Sequence, residues 1–179
     1  MSSVKFKGEI EVSLSGTNLN VGDMAPVVSC VAGDLSDITI GGQLGKVQVV
    51  VAVPSLDTGV CASEARRFNV EASKLENVEV VVVSMDLPFA MKRFCTTEGI
   101  ENLKVASDFR AKAFAKSYGV LQSSGPLQGL CTRAVFIINA SGKIAYKQIV
   151  PEITNEPNYD EVLEAIKDSS STSCCGSCH

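Results

Sequence analysis

Two short runs of apolar residues constrain this chain more than any other feature. VQVVVAV occupies Val47–Val53, and Val78–Val83 sits in VEVVVVS. Both are continuous rather than alternating, so each predicts a strand buried on both faces. Both are far too short to span a bilayer. Between them, residues 59 to 75 carry Ala65, Phe68, Ala72 and Leu75 at helical spacing. Strand, helix, strand in that order calls for a sheet with helices packed against it. A length of 179 residues fits one domain with a full core.

The flanking segments extend this pattern. Val4, Phe6, Ile10, Val12 and Leu14 alternate with polar residues, and Gly8 interrupts them, which reads as a hairpin. Short strands are expected near Pro26–Val31 and Asp37–Ile40. Pro88 opens a helix through about Glu98, because proline suits a first helical position. Residues 109 to 117 read as helical from Phe109 and Ala113, four apart. Ala134–Ile138 and Lys143–Val150 read as strands joined by a turn at NASG. Tyr159, Val162, Leu163 and Ile166 form one face of a last helix. The order suggests a thioredoxin-like α/β sandwich, with a central mixed sheet flanked by helices and an N-terminal β-hairpin added. Residues 1–168 make the domain; the Ser- and Cys-rich 169–179 lack periodicity and read as a flexible tail.

Composition narrows the chemistry. The single histidine is His179, so hydrolase sites built on histidine are not expected within the fold. A net charge of −4 argues against nucleic acid and anionic membranes as partners. The start, MSSVKFKGEIEV, has no signal-peptide run, so a cytoplasmic, reducing location is expected. There, seven cysteines are better suited to reactivity or metal binding than to structural disulfides.

Cys61 has the most favourable setting of the seven. It closes PSLDTGVC, after a buried strand and a short loop, at the start of a helix. Unpaired first-turn N–H groups and the helix dipole stabilise a thiolate there. Thr58 can bring a hydroxyl to the same spot, and Pro54 stiffens the loop without adding an N–H. Arg66 and Arg67 follow, but helical spacing keeps both from facing the thiol. A thiolate beside a hydroxyl and a cation suits attack on a peroxide, whose O–O bond is weak. The product is a sulfenic acid, which a second thiol condenses to a disulfide. Neither metal nor other cofactor is required.

These residues carry a resemblance. PSLDTGVC matches the P-x-x-x-T-x-x-C signature of peroxiredoxins, and its extension through RRFN resembles their thiol peroxidase branch, an atypical two-cysteine type. DLPFAMKRFC, GPLQGLCTRAVFII and EITNEPNYDEVL are similar to later segments of that branch, so the likeness covers roughly residues 4 to 167. The resemblance implies Cys61 as peroxidatic cysteine, Thr58 holding its thiolate and the peroxide, Arg133 as active-site arginine and Pro54 shielding the pocket. It implies Cys95 as the resolving cysteine of the same chain. It further implies hydrogen peroxide and alkyl or lipid hydroperoxides as substrates, thioredoxin as reductant and a homodimer. Because a disulfide needs Cα atoms within about 7 Å, one or both cysteine-bearing helices are expected to unwind locally on oxidation.

Some residues fall outside that pattern. Cys30 and Cys131 read as core residues, with Cys131 also a candidate second thiol near the pocket. Arg93 and Arg110 are alternative sources of charge to Arg133. Cys174, Cys175, Cys178 and His179 crowd the tail, leaving three readings open: no defined role, soft-metal binding, or a redox relay to Cys61 or Cys95. Two rival functions remain. A disulfide reductase needs C-x-x-C at the helix start, where this chain has Glu64 three residues after Cys61. A metal-binding or redox-sensing protein would act through the tail.

Overall fold

The computed structural model describes residues 2–171, so Cys174, Cys175, Cys178 and His179 lie outside the described residues. The elements run β1 (Ser3–Phe6), β2 (Ile10–Ser15), β3 (Val28–Ala32), β4 (Asp37–Ile40), β5 (Val47–Ala52), α1 (Gly59–Ala72), β6 (Val78–Ser84) and α2 (Pro88–Glu98). They continue with β7 (Lys104–Ser107), α3 (Ala113–Ser117), β8 (Leu121–Gln122), β9 (Ala134–Ile138), β10 (Ile144–Ile149) and α4 (Tyr159–Ser171).

The two valine runs become the middle of a mixed seven-stranded sheet ordered β10-β9-β5-β6-β7-β3-β4. β5, β6 and β7 are parallel neighbours; β9 lies antiparallel to β5, and β3 antiparallel to β7. Every residue of β5 is buried, because its alternating side chains serve two cores. Val47, Val49 and Val51 pack with α1, α2 and α4 on one face, and Val50 and Ala52 pack with α3 on the other. Gln48 is the polar exception. Its amide donates to the Thr39 carbonyl and to Glu79, and its oxygen accepts from the Gly41 N–H.

Several elements differ from the sequence reading. β7 and the two-residue β8 were not anticipated, since KVAS and LQ are too short to show a period. The helix expected over 109–117 is only α3, starting at Ala113. Lys112 before it takes the left-handed conformation, with φ 52°, and Phe109 is exposed. Asp108 sets that start by accepting the N–H groups of Phe114 and Ala115. At the other end of the chain, α4 runs to Ser171, so three residues read as tail are helical. The hydroxyls of Ser169, Ser170 and Ser171 each donate to the carbonyl four residues earlier.

The N-terminal hairpin β1–β2 joins β8 in a separate three-stranded sheet. Glu152 anchors its turn: the carboxylate accepts the N–H groups of Lys7 and Gly8 at 3.0 and 2.8 Å. The Thr154 hydroxyl, with these backbone donors, holds Glu152 down at about 2. A depressed carboxylate contributes stability that is present above its ordinary value of 4.5 and lost as pH falls through that range toward 2. Thermal unfolding of wild type and Glu152→Gln is therefore expected to differ at pH 7 and to converge near pH 2, wild type being the more stable at pH 7. A constant difference across that range would exclude the anchor.

Candidate active site

Strand β5 ends at the loop Val53–Thr58, and the loop is shaped by a carboxylate from the neighbouring β6–α2 connection. Asp86 accepts the Leu56 N–H at 2.7 Å and the hydroxyls of Ser55 and Ser84 at 2.8 and 2.7 Å. Pro54 is buried in this loop. Thr58 follows as the N-cap of α1, extended at φ −94°, ψ 147°. Its hydroxyl accepts the Cys61 N–H at 3.4 Å and donates to the Ser55 carbonyl at 3.2 Å. Thr58 thus fixes the backbone on which Cys61 sits, as N-cap residues do. Cys61 is the third residue of α1, and its side chain is fully buried.

Arg133 meets it from the opposite strand. It directly precedes β9, whose first residue Ala134 pairs with Ala52 at the end of β5. That register brings Arg133 to the end of the sheet where α1 begins. The guanidinium is 2% exposed, and its planar fork is divided among three acceptors. Nη2 donates to Cys61 Sγ at 3.2 Å, Nε donates to the Ile153 carbonyl at 3.0 Å, and Nη1 donates to the Glu64 carboxylate.

Glu64 is the residue that the sequence reading passed over. It was noted only as the non-cysteine three positions after Cys61, yet it is buried on the same helical face, next to Ala65 and in line with Phe68. A glutamate on an apolar stripe is the signal that was available, because such a charge needs a partner. One oxygen, Oε2, has Arg133; the other, Oε1, is buried with no hydrogen-bond donor among the described residues. Burial pushes Glu64 up to about 7, and Arg133 pulls against that rise. Arg133 is itself held as a cation by Glu64 and Cys61, which outweigh its own burial.

The other candidates separate from this cluster. Arg66 and Arg67 are exposed and turn to Glu98 and Glu71. Arg110 lies near Asp37 and Phe109, and Arg93 is exposed on α2. Neither meets Cys61. Cys95 lies in the last turns of α2, half-buried against the same core as Cys61, and its thiol is free. Burial pushes that thiol up. Gly99 ends α2 in the left-handed conformation at φ 66°, with its N–H on the Cys95 carbonyl. Cys30 and Cys131 lie across the sheet in the other core, and burial drives both up, Cys30 to about 12.

A buried thiol under a helix start, with an arginine fork against its sulfur, can stabilise a thiolate and receive developing negative charge on a leaving oxygen. The sequence matches the Redoxin family over residues 20–163. It is similar to the thiol peroxidase of Campylobacter jejuni, 56% identical over 178 residues. That match covers 99% of this chain and 98% of the relative, and so takes in most of residues 172–179. The crystal structure of a peroxiredoxin-like protein from Aquifex aeolicus superposes with a TM-score of 0.90 at 52% identity, covering 93% of this chain and 96% of that one. A thiol peroxidase structure from Chromobacterium violaceum shares the fold at 19% identity, with a TM-score of 0.84 over 95% of this chain and 98% of its own.

Glu64 and Arg133 form a buried pair, so removing one partner strands the other. Glu64→Ala is expected to destabilise the fold by about 3 kcal/mol and to slow peroxide consumption at least tenfold. Glu64→Gln keeps the shape and an acceptor for Arg133. Because a raised carboxyl favours the fold most below its ordinary 4.5 and loses that contribution as pH rises through about 7, wild type should lose stability relative to Glu64→Gln across that interval. Parallel stability curves for the two proteins would show that Glu64 does not titrate there.

Proposed function

The chain belongs to the Redoxin family and is a peroxidase of the peroxiredoxin type, and from that premise we propose that it reduces hydrogen peroxide and organic hydroperoxides through Cys61 and Cys95. The observation that carries this reading is the Arg133 Nη2 to Cys61 Sγ contact of 3.2 Å at the first turn of α1.

The cycle balances as follows. The Cys61 thiolate attacks one peroxide oxygen; the S–O bond forms as the O–O bond breaks, and the departing oxide leaves as water or alcohol after taking a proton. Cys61 is then a sulfenic acid. Arg133 shares its charge between the thiolate and the leaving oxygen, while Thr58 and the first-turn N–H groups hold the sulfur's end of the helix. Pro54 walls the loop side of the pocket. The Cys95 thiol displaces the sulfenic hydroxyl as water, giving a Cys61–Cys95 disulfide, and a thioredoxin dithiol returns both to thiols.

Resolution requires movement. Cys61 sits near the start of α1 and Cys95 seven residues into α2, and both are partly or wholly enclosed. Local unwinding of α2 at Cys95 would bring the sulfurs together and relieve the burial that keeps Cys95 protonated. The exposed Leu87 and Phe89, at 52% and 68%, open α2 beside the Asp86 staple and support a homodimer with its contact near this end. No helix among the described residues is long and apolar enough to cross a membrane. A reducing cytoplasm, where thioredoxin keeps its dithiol, is the compartment that this chemistry suits. Residues 1–171, through the end of α4, serve as the catalytic domain, with 172–179 appended.

Intact-mass analysis after one equivalent of hydrogen peroxide tests the reading. The expected outcome for a chain truncated after Ser171 is loss of two hydrogens with a mapped Cys61–Cys95 bond, and for its Cys95→Ser form a sulfenic acid trapped at Cys61. An unmodified Cys61 in both would overturn it.

A further inference from the structure

The segment after β10 wraps around Arg133, and the N-terminal hairpin holds it there. The backbone carbonyl of Arg133 accepts the Val150 N–H at 3.0 Å, and its Nε donates to the Ile153 carbonyl at 3.0 Å. β1 grips the same segment. The Lys5 N–H donates to the Pro151 carbonyl at 2.7 Å, and the Lys5 carbonyl accepts the Ile153 N–H at 2.9 Å. The Ile153 side chain is buried with Val4, Val12 and Leu14 of the hairpin. The hairpin thus holds the N–H and the side chain of Ile153, and Arg133 takes its carbonyl.

Glu152 completes the hold from across one peptide group. The Ile153 carbonyl and the Thr154 N–H belong to the same planar trans unit, so they point in opposite directions. The carbonyl meets Arg133 Nε, while the N–H donates to Glu152 Oε1 at 3.1 Å. The Thr154 hydroxyl donates to the same oxygen at 2.7 Å. The carboxylate is fixed in turn by the N–H groups of Lys7 and Gly8 in the hairpin turn. A carboxylate on the N–H side polarises the peptide and makes its carbonyl a stronger acceptor. The guanidinium is a rigid planar fork. With Nε fixed on Ile153 and Nη1 on Glu64, the plane has no freedom left, and Nη2 falls on Cys61 Sγ.

We propose that Glu152 is a positioning residue for Arg133, acting through the Ile153–Thr154 peptide, and that the N-terminal hairpin serves the reaction by holding that peptide in place. This rests on the proposed peroxidase cycle, in which Arg133 faces the reacting sulfur. The donors on the Glu152 carboxylate are those of Lys7, Gly8 and Thr154, so its effect reaches Arg133 across the peptide plane. The carboxylate is held down at about 2, so it is charged throughout the neutral range. Glu152→Gln keeps the size of the side chain but removes the charge and turns one acceptor oxygen into a donor. That donor faces N–H and hydroxyl groups, the peptide loses its fixed orientation, and Arg133 loses one of the two bonds that aim Nη2.

The test compares the reduced full chain at pH 7 as wild type, Glu152→Gln, Thr154→Val and Ile40→Val. Thr154 is exposed, and its substitution removes only the hydroxyl on Glu152. Ile40 lies in the opposite core and lowers stability without touching this segment. Limiting hydrogen peroxide, acid quenching and mass mapping give the rate of Cys61 oxidation; iodoacetamide gives the labelling rate of each cysteine. Glu152→Gln is expected to slow both reactions of Cys61 about tenfold, as misplacement of a catalytic group does. Thr154→Val should slow them less, and it carries the comparison alone if Glu152→Gln does not hold its fold. Cys30 and Cys131 should label no faster than in wild type, and Ile40→Val should keep the wild-type Cys61 rates. Wild-type Cys61 rates in Glu152→Gln and Thr154→Val would overturn the positioning role and leave the peroxidase cycle intact. So would faster labelling of Cys30 and Cys131 in those variants, or an equal loss of Cys61 rate in Ile40→Val, since either marks a general loosening. A wild-type chain whose Cys61 is untouched by peroxide would overturn the underlying cycle, and the positioning role with it.

Discussion

A guanidinium with 2% of its surface exposed is costly to bury, and the site is organised around satisfying it. A buried arginine cannot neutralise itself and must find acceptors in fixed directions. Two parts of the chain provide three of them: α1 through Cys61 and Glu64, and the connection after β10 through the Ile153 carbonyl. The antiparallel pairing of β9 with β5 positions the base of the side chain. The thiol thus belongs to the arginine's coordination as much as the arginine belongs to the thiol's environment. Glu64 and Cys61 compete for one positive charge. The carboxyl that takes up a proton near neutrality leaves more of that charge to the sulfur.

The loop Val53–Thr58 shows a second use of the same logic. Its backbone follows no regular element, so its polar groups need partners from elsewhere. Asp86 takes the Leu56 N–H and the Ser55 hydroxyl, and the Thr58 hydroxyl takes the Cys61 N–H. Strands β5 and β6 are parallel neighbours, so the loops at their ends lie side by side. One loop can then hold the other without a long connection. The loop is held for a reason that sits in the sheet topology as well as in the loop's own residues.

Much of this was legible in the sequence, and the illegible parts have a common cause. The valine runs, the proline opening α2 and the apolar face of α4 announce themselves through local period and local chemistry. Thr58, Cys61 and Arg133 were singled out by motif spacing and a family resemblance, and the structure brings them together. β7 and β8 were missed because four and two residues cannot display a period, and their pairing is decided by β6, β3 and β2. α3 was placed too early because Asp108, which sets its first turn, acts through hydrogen bonds that spacing does not encode. Glu64 and Asp86 were passed over for the same reason. Each looks like an ordinary acidic residue until its partners, 69 and 30 positions away, are brought beside it.

The sheet also works as a partition among thiols. Cys61 and Cys95 belong to the core beneath α1, α2 and α4; Cys30 and Cys131 belong to the core on the other side, where burial keeps them as undissociated thiols. Peroxides select for the thiolate, so burial on that side makes Cys30 and Cys131 poor targets for an oxidant that reaches the molecule. Under the proposed cycle, a chain whose Cys61 is driven past the sulfenic state still keeps the two cysteines of the opposite core as thiols, one sheet away from the damage.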